Sequence, residues 1–208
     1  MKYISISGPV ASGKSTLLYR LQAALGDRAA VHLERPDRNP YISDYYSDSK
    51  RWSFHSQVAF LSLYFDDLAD SKNSWLHSGA DYYLFDRSLT ENLVIARYRL
   101  LQGDITEEEY RLLEKLATGI EQLMLPIDAY LCIDCSETLM LQRLKERGRA
   151  YEQQLDADYA RKQIALYREW EAALPQETVL HIIAGETVPL EPILRYLENL
   201  KGEDGACL

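Results

Sequence analysis

The chain has 208 residues, of which 47% are hydrophobic and 26% are charged, a composition typical of a soluble globular protein. Its formal net charge of −9 argues against a general nucleic-acid binder or a protein of anionic membrane surfaces, because both need a basic surface. Any phosphate chemistry must therefore depend on a local cluster of Lys and Arg side chains.

Short apolar runs alternate along the chain with amphipathic segments, which predicts an α/β protein with a mainly parallel sheet. The predicted strands cover residues 3–7, 29–33, 82–85, 128–133 and 178–183. The predicted helices cover residues 14–25, 52–70, 88–101, 107–124, 137–147, 156–173 and 190–200. Thr106 and Glu109 have the spacing of a capping box, and Ser136 is a candidate N-cap for the next helix.

The simplest organisation is one domain over residues 1–201, with long insertions at 34–81 and 87–125, followed by a polar tail at 202–208 that we expect to fray. Met1 leads directly into a strand-like stretch rather than a targeting segment. No apolar stretch approaches the roughly 18 residues of a membrane span. Three cysteines do not make a disulfide framework. We therefore expect a cytoplasmic protein that binds neither membranes nor nucleic acid.

Residues 8–15 match the pattern G-x-x-x-x-G-K-[ST] between a predicted strand and a predicted helix, the context that identifies a phosphate-binding P-loop. Backbone N–H groups of such a loop, with the helix N-terminus, hold phosphate oxygens. Lys14 would reach the β- and γ-phosphates, and Ser15 would bind Mg²⁺. The alternative is a glycine-rich turn that only connects strand to helix. The predicted contacts to ATP in this loop are Gly8, Ser12, Gly13, Lys14, Ser15 and Thr16.

A P-loop alone does not separate kinases from GTPases, motors or switches. The chain lacks the Asn-Lys-x-Asp motif that reads guanine, and it is short for a motor. The apolar run at 82–85 ends in Asp86, as a Mg²⁺-positioning carboxylate requires, and Arg87 follows where transferred charge must be stabilised. Asp134 after Ile133 is a competing carboxylate without an adjacent arginine. Alternatively, Asp86 only caps the next helix.

Three arginines at 143, 147 and 149 form the basic cluster that the acidic total requires. Arg143 and Arg147 share a helix face because they are one turn apart, and Gly148 permits a break that redirects Arg149. We predict a lid at about 143–154 that closes on ATP phosphates and excludes water. The alternative is a solvated helix face with Glu146 as partner.

Five blocks in order resemble the deoxynucleoside kinase family, especially its bacterial deoxyadenosine/deoxyguanosine kinase branch. They are the P-loop; Glu34 with Asn39-Pro40-Tyr41; Tyr46 with Arg51-Trp52-Ser53-Phe54 and Gln57; Asp86-Arg87-Ser88; and Arg147-Gly148-Arg149 with Glu152. The resemblance covers nearly the whole chain. It implies a P-loop kinase fold, a five-stranded parallel sheet flanked by helices with an arginine-rich lid, and typically a homodimer. It also implies transfer of the γ-phosphoryl group of ATP to the 5′-hydroxyl of a deoxynucleoside.

The resemblance further implies a role for each matching residue. Glu34 would accept the proton of the 5′-hydroxyl, and Arg87 would lie near the 5′-oxygen and the transferring phosphoryl group, so that the catalytic set is Glu34, Arg87 and Lys14. Asp86 would be the acid beside the metal, where relatives often have Glu. On the acceptor side, the resemblance implies that Tyr46 and Glu152 bind the 3′-hydroxyl and that Gln57 binds the base. On the donor side, it places three arginines in the lid, Arg143, Arg147 and Arg149. It also places Gly185 and Glu186 around the adenine of the donor.

Two positions depart from the family pattern. Seven residues after Gln57, where relatives commonly have an arginine that helps define the base, the chain has Tyr64. The usual acidic partner of that arginine, four residues after Ser88, is Asn92. We assign Tyr64 and Asn92 to the base pocket, which loses an ion pair. The preference for purine deoxynucleosides rests only on the Asn-Pro-Tyr and Arg-Gly-Arg-x-x-Glu-Gln blocks.

Two other functions remain open at this point. A nucleoside monophosphate kinase resembling thymidylate kinases would need an additional arginine for the acceptor phosphate, and Arg35, Arg38 and Arg51 are candidates. A regulatory protein would bind ATP without transferring phosphate, although Glu34, Arg87 and Glu152 together argue against a degenerate site. The C-x-x-C pair Cys132 and Cys135 is interpreted as two inert buried thiols.

Overall fold

Five parallel strands form one sheet in the computed structural model, which describes residues 1–74, 79–152 and 154–202. The strand order is β2-β3-β1-β4-β5, and β1 pairs with both β3 and β4, so that Ile4 lies opposite Leu84 on one side and Ala129 on the other. The predicted five-stranded parallel sheet is confirmed. The strands are β1 Lys2–Ser7, β2 Ala29–His32, β3 Tyr82–Asp86, β4 Ala129–Asp134 and β5 Val179–Ile183.

Eight helices accompany this sheet in the described ranges: α1 Lys14–Leu25, α2 Ile42–Ser47, α3 Ser49–Ser74, α4 Glu91–Leu101, α5 Glu107–Glu121, α6 Glu137–Arg147, α7 Ala157–Ala172 and α8 Glu191–Gly202. The capping box of Thr106 and Glu109 is confirmed at the start of α5. Ser136 caps α6 by accepting a hydrogen bond from the Leu139 N–H. The short helix α2 was not predicted. Beyond Gly202, the predicted tail lies outside the described residues.

The sheet is apolar on both faces, as expected for parallel strands covered by helices. Ile4, Ile6 and Leu131 are fully buried in it. They belong to a core cluster to which α1 contributes Leu17, Leu18 and Leu21 and α8 contributes Ile193 and Leu197. A second cluster joins α3, α4 and α5 through Leu61, Ala96 and Leu113. The helices of the two insertions therefore have a hydrophobic core of their own.

Because all five strands are parallel, their carboxyl ends lie at one edge of the sheet, and the loops after β1, β2 and β3 come together there. These loops contain the P-loop, Glu34 and the Asp86-Arg87 pair. The topology alone therefore brings residues from three distant parts of the chain to one place.

Other features of the described residues are simpler. Cys132 and Cys135 are free, buried thiols, and burial raises the pKa of Cys132 above its ordinary value. His, Cys, Asp and Glu side chains form no group of three or more suited to a metal ion within the ranges given above. None of the helices in those ranges combines the length and the apolar character that crossing a membrane requires.

Candidate active site

The P-loop connects β1 to α1, and both of its glycines have backbone conformations that L side chains rarely adopt. Gly8 has φ +142°, and a Cβ there would lie 2.7 Å from the carbonyl oxygen of Ile133. Gly13 has φ +106°, and a Cβ would lie 3.2 Å from a guanidinium nitrogen of Arg143. The motif glycines are therefore required by close approach as well as by φ.

Lys14, the first residue of α1, is folded back over the P-loop. Its Nζ donates hydrogen bonds to the carbonyl oxygens of Gly8 at 2.7 Å and Pro9 at 2.9 Å. Burial, and next the neighbouring Arg87, lower the pKa of Lys14 to about 8. The ammonium group thus lies in the loop that would receive phosphate oxygens.

Ser15 and Asp86 contact each other in a cleft that the P-loop lines. The Ser15 hydroxyl donates to Asp86 Oδ2 at 2.7 Å, and Asp86 Oδ1 is buried with no hydrogen-bond partner among the described residues. A hydroxyl beside a carboxylate with a free oxygen fits Mg²⁺, which takes one or two protein oxygen ligands and completes its shell with water and phosphate. Asp134, the competing carboxylate, instead pairs with Arg168 at 2.9 Å and does not line this cleft.

Arg87 is buried beside Glu34. Its side chain is 6% exposed, and its Nε lies 3.3 Å from Glu34 Oε2 in an ion pair. Its Nη1 donates to the hydroxyl of Tyr167 at 2.9 Å, and its φ of +77° is left-handed. Since a non-glycine residue in this conformation is uncommon, the surrounding contacts must fix it.

The arginines of the predicted lid have different partners. Arg143 donates to the Ser12 carbonyl at 2.6 Å and to the Gly185 carbonyl at 2.7 Å, which joins the P-loop to the loop after β5. Arg147 forms two hydrogen bonds with the Glu152 carboxylate, at 2.9 and 2.6 Å, and Arg149 lies 3.5 Å from the same group. Closure of a lid over phosphate stays a prediction.

The acceptor side of the cleft is formed by α2, α3 and the turn Ala150–Glu152. The ring of Tyr46 stacks on Tyr151 with centroids 4.8 Å apart, and burial raises the pKa of Tyr46 well above its ordinary value. Gln154 donates to the Tyr46 carbonyl oxygen. Gln57 is 2% exposed, and its Oε1 has no partner in the part of the chain described. Both Tyr46 and Gln57 line the cleft.

The cleft has a volume of about 780 Å³, within the range of small-molecule sites. Gly8 lies at the base of the P-loop outside its lining. Most of the other predicted residues line it: Ser12, Gly13, Lys14, Ser15, Thr16, Glu34, Tyr46, Gln57, Asp86, Arg87, Arg143, Arg147, Arg149, Glu152, Gly185 and Glu186.

Tyr64 and Asn92, the two departures from the family pattern, do not line this cleft. The Tyr64 hydroxyl donates to the Arg87 carbonyl, and its ring lines a small neighbouring cavity with Phe60 and Asp67. Asn92 is 2% exposed, with neither amide atom hydrogen-bonded within the described ranges. A direct contact of either residue with a base stays a prediction.

Sequence reasoning left several residues of the site unassigned. Tyr159, Gln163 and Tyr167 line the cleft from α7, and their spacing of four along a predicted helix was the available signal. Glu91 is fully buried behind the P-loop. Its signal was the pattern S-x-x-E from Ser88, which is typical of a capping box.

Several known proteins resemble this chain in sequence or in fold. A deoxyadenosine/deoxycytidine kinase of Bacillus subtilis (strain 168) is 28% identical, over 80% of this chain and 75% of that protein. A deoxyguanosine kinase of Lactobacillus acidophilus is 30% identical, over 82% of this chain and 75% of that protein. Among solved structures, a deoxyadenosine kinase from M. mycoides with bound dCTP superposes with a TM-score of 0.82 at 22% identity, covering 95% of this chain and 99% of that chain.

The solved structure, at that identity, shows the fold, and it is a kinase fold with a P-loop. The family model described as deoxynucleoside kinase matches residues 4–192. The match extends from β1 into α8 and includes every segment that lines the cleft. The chain therefore belongs to the deoxynucleoside kinase family, whose members are phosphotransferases.

Proposed function

We propose that the protein transfers the γ-phosphoryl group of ATP to the 5′-hydroxyl of a deoxynucleoside and prefers purine deoxynucleosides. The proposal rests mainly on the Glu34–Arg87 pair, whose Oε2 and Nε atoms are 3.3 Å apart and which lines the same cleft as the P-loop. Relatives named for deoxyadenosine and deoxyguanosine support the purine preference, although one of them is also named for deoxycytidine.

The donor would bind along the P-loop. The loop N–H groups and Lys14 would hold the β- and γ-phosphates, while Gly185 and Glu186 would lie beside the adenine. Arg147 and Arg149 would turn toward the phosphates when the segment 143–154 closes. Ser15 and Asp86 would hold Mg²⁺, which when bound neutralises charge on the β- and γ-phosphate oxygens.

The chemical step would use Glu34 and Arg87. As the 5′-oxygen attacks the γ-phosphorus and the bond to the β-phosphate oxygen breaks, the hydroxyl proton goes to Glu34, and ADP leaves with that bond's electron pair. The Arg87 guanidinium would stabilise the negative charge that spreads over the transferring oxygens. Its ion pair with Glu34 also holds that carboxylate beside the position proposed for the 5′-oxygen.

The acceptor would lie between α2, α3 and α7. Tyr46 and Glu152 would bind the 3′-hydroxyl, with Glu152 oriented by Arg147. The free Oε1 of Gln57 would bond the base edge. Tyr64 and Asn92 do not line the cleft, so they would shape the base pocket indirectly, through the residues that do.

The geometry does not favour a nucleoside monophosphate kinase. The three candidate arginines for an acceptor phosphate do not line the cleft: Arg35 pairs with Asp37, Arg38 with Asp67, and Arg51 lies over the Trp52 ring. A phosphate on the acceptor would therefore lack a dedicated cation from this set.

The test incubates purified protein with Mg-ATP and each of the four deoxynucleosides, with dTMP as a fifth acceptor. We expect 5′-monophosphates, most from deoxyadenosine or deoxyguanosine. No product from any deoxynucleoside, with ATP binding detected by isothermal titration, would instead support the regulatory protein. Product from dTMP but not from thymidine would support the monophosphate kinase.

Glu34→Gln tests the base directly. We expect kcat to fall at least about 100-fold, because general-base catalysis contributes that much, while ATP affinity stays unchanged. The control is Glu169→Gln on the exposed face of α7, where the carboxylate is 63% exposed. Near-normal turnover of Glu34→Gln would refute the assigned role.

The assembly is part of the proposal. We propose a single domain over residues 1–201 and a homodimer, as the family resemblance implies. Light scattering of the purified protein would then give twice the chain mass of 24.0 kDa.

A further inference from the structure

Glu91, the first residue of α4, is a buried carboxylate to which neither the motifs nor the proposed mechanism gives a role. Its side chain is 0% exposed. Carboxylates are rarely buried without a partner, because removing a charge from water is costly. The hydrogen bonds and charges around Glu91 therefore indicate its role.

The two carboxylate oxygens of Glu91 accept hydrogen bonds from two different segments. Oε2 accepts from the Ser88 N–H at 2.8 Å, which satisfies a backbone donor in the turn before α4. Oε1 accepts from the Gly8 N–H at 3.1 Å, at the first residue of the P-loop and 83 positions away in the chain. One side chain thus connects the loop after β3 to the loop after β1.

The charges around Glu91 are the two buried cations of the site. Burial raises the pKa of the Glu91 carboxyl, and first Arg87 and then Lys14 lower it, followed by the two backbone hydrogen bonds. Arg87 and Lys14 are themselves 5% and 7% exposed. The carboxylate therefore compensates two cations that would otherwise repel each other in a site of low dielectric constant.

The conformation of Arg87 explains why such a connection is needed. With φ +77°, its backbone is held by bonds on each side: its N–H donates to the Ile6 carbonyl at 3.0 Å, and the next N–H, of Ser88, donates to Glu91. Loss of the Glu91 acceptor would leave the N–H of the peptide after Arg87 unpaired, while its carbonyl keeps the bond from the Tyr64 hydroxyl, so that the turn could rotate about that contact. The guanidinium would then move relative to Gly8 and the P-loop.

We infer that Glu91 is a positioning residue, which fixes the Arg87 turn against the P-loop so that the arginine and the donor phosphates are aligned for transfer. It touches neither substrate, and its effect is exerted through Arg87 and Gly8. This inference rests on the proposed kinase function.

A matched control exists elsewhere in the chain. Glu109 makes the same local bond in the capping box of α5, where its Oε2 accepts from the N–H three residues before it, that of Thr106, at 2.7 Å. It is partly exposed and does not line the cleft. Glu109→Gln therefore removes the capping charge alone, whereas Glu91→Gln removes a cap, the contact with Gly8 and the compensating charge.

The experiment compares steady-state kinetics of Glu91→Gln, Glu109→Gln and the wild-type protein. The glutamine has one acceptor oxygen, so one of the two N–H groups loses its partner, and the negative charge is gone. We expect kcat of Glu91→Gln to fall about 10- to 100-fold, as for a lost hydrogen bond to a charged group, with KM for the deoxynucleoside changed less than about 3-fold. Glu109→Gln should keep the wild-type kcat.

A double substitution separates positioning from a general loss of structure. If Glu91 acts through Arg87, Glu91→Gln should cost much less in an Arg87→Lys background than in the wild-type protein, because the aligned group is already altered. Additive effects on kcat would overturn the proposal. So would a kcat of Glu91→Gln within about 2-fold of wild type, or an equal loss in Glu109→Gln.

Folding is measured for each variant by thermal unfolding. If Glu91→Gln is unfolded at the assay temperature, Glu91→Asp replaces it, since the shorter side chain keeps the charge but cannot reach both N–H groups. An unchanged kcat in Glu91→Asp, or unfolding of both variants while Glu109→Gln is folded, would overturn the proposal. Wild-type protein without any kinase activity would instead refute the proposed function.

Discussion

Gln163 lies on α7 between Tyr159 and Tyr167, one helical turn from each, and all three side chains line the cleft. It is 2% exposed, and its Nε2 has no hydrogen-bond partner among the residues described. A buried polar group left unpaired costs about 1–3 kcal/mol. Tyr167 binds Arg87 at one end of this face, and Tyr159 lies near Tyr46 at the other. The amide therefore lies in the part of the cleft between Arg87 and Tyr46, where the proposed transferring group and sugar would meet.

Gln163→Leu tests whether this amide donates to the acceptor. We expect KM for the deoxynucleoside to rise about 5- to 10-fold, because a neutral hydrogen bond contributes about 1 kcal/mol, while KM for ATP stays unchanged. The free energy of unfolding without ligand should stay equal or increase, since leucine removes an unpaired polar group. Steady-state kinetics and urea unfolding measure both.

The control for this substitution is Gln22→Leu on the exposed face of α1. It should leave KM for both substrates as in the wild-type protein. If Gln163→Leu only lowers stability, with KM unchanged, the amide serves the fold and not the substrate.

Single residues also show how far sequence reasoning extends. Gly8, Lys14 and Ser15 were predictable because a short local motif dictates their geometry, and Asp86 and Arg87 because they stand at the end of an apolar strand. The role of Glu34 rested on the family resemblance. Glu91 received no role from the sequence. Its bond to the Ser88 N–H is local, but its bond to the Gly8 N–H joins residues 83 positions apart. A local pattern identifies the first contact and contains no information on the second.

At the scale of elements, the strands and the long helices can be predicted from the spacing of hydrophobic residues and from helix caps, whereas α2 cannot. It has six residues, no side-chain cap and two adjacent tyrosines, so local propensity alone would not form it. Tertiary contacts do: Tyr45 is buried, and its hydroxyl accepts a hydrogen bond from Arg99 at 2.8 Å. The face of α7 that lines the cleft also received no role from the sequence. Hydrophobic periodicity shows which residues share a helix face, but it does not show what that face contacts.

The segment after α6 supplies a prediction about the lid. Arg147 holds the Glu152 carboxylate through two hydrogen bonds, and the Glu152 side chain is 2% exposed. Arg147→Gln should therefore release Glu152 and raise KM for a deoxynucleoside about 10-fold, roughly the loss of one charged hydrogen bond. With a 2′,3′-dideoxynucleoside, which lacks the 3′-hydroxyl that Glu152 would bind, the same substitution should change KM much less.

Steady-state kinetics with the two acceptors measure this difference. Lys145→Gln, at an exposed position of the same helix, is the control and should affect neither acceptor. Equal effects of Arg147→Gln on both acceptors would mean that the lost contact with the donor phosphates, and not the lost bonds to Glu152, accounts for the change in KM.

For the whole molecule, the distribution of charge matters more than its total. Against a net charge of −9, the cleft lining has a small positive excess, with six cationic and five acidic side chains. Its cationic side chains are Lys14, Arg20, Arg87, Arg143, Arg147 and Arg149, and its acidic ones are Glu34, Asp86, Glu146, Glu152 and Glu186. An acidic surface that repels polyanions is therefore compatible with a site that accepts a small phosphate ligand.

Binding at this cleft should stabilise the whole fold, because the P-loop, α1, α6 and the loop after β5 all contribute to the donor side. Mg-ATP at 100 times its Kd contributes about 2.7 kcal/mol to the free energy of unfolding, which corresponds to a rise in Tm of about 5 to 10 °C for a chain of this length. Differential scanning fluorimetry measures the shift. AMP at the same concentration lacks the phosphates that Lys14 and the P-loop would hold, so its shift should be smaller by more than half. Equal shifts with the two nucleotides would mean that the P-loop does not bind the donor phosphates.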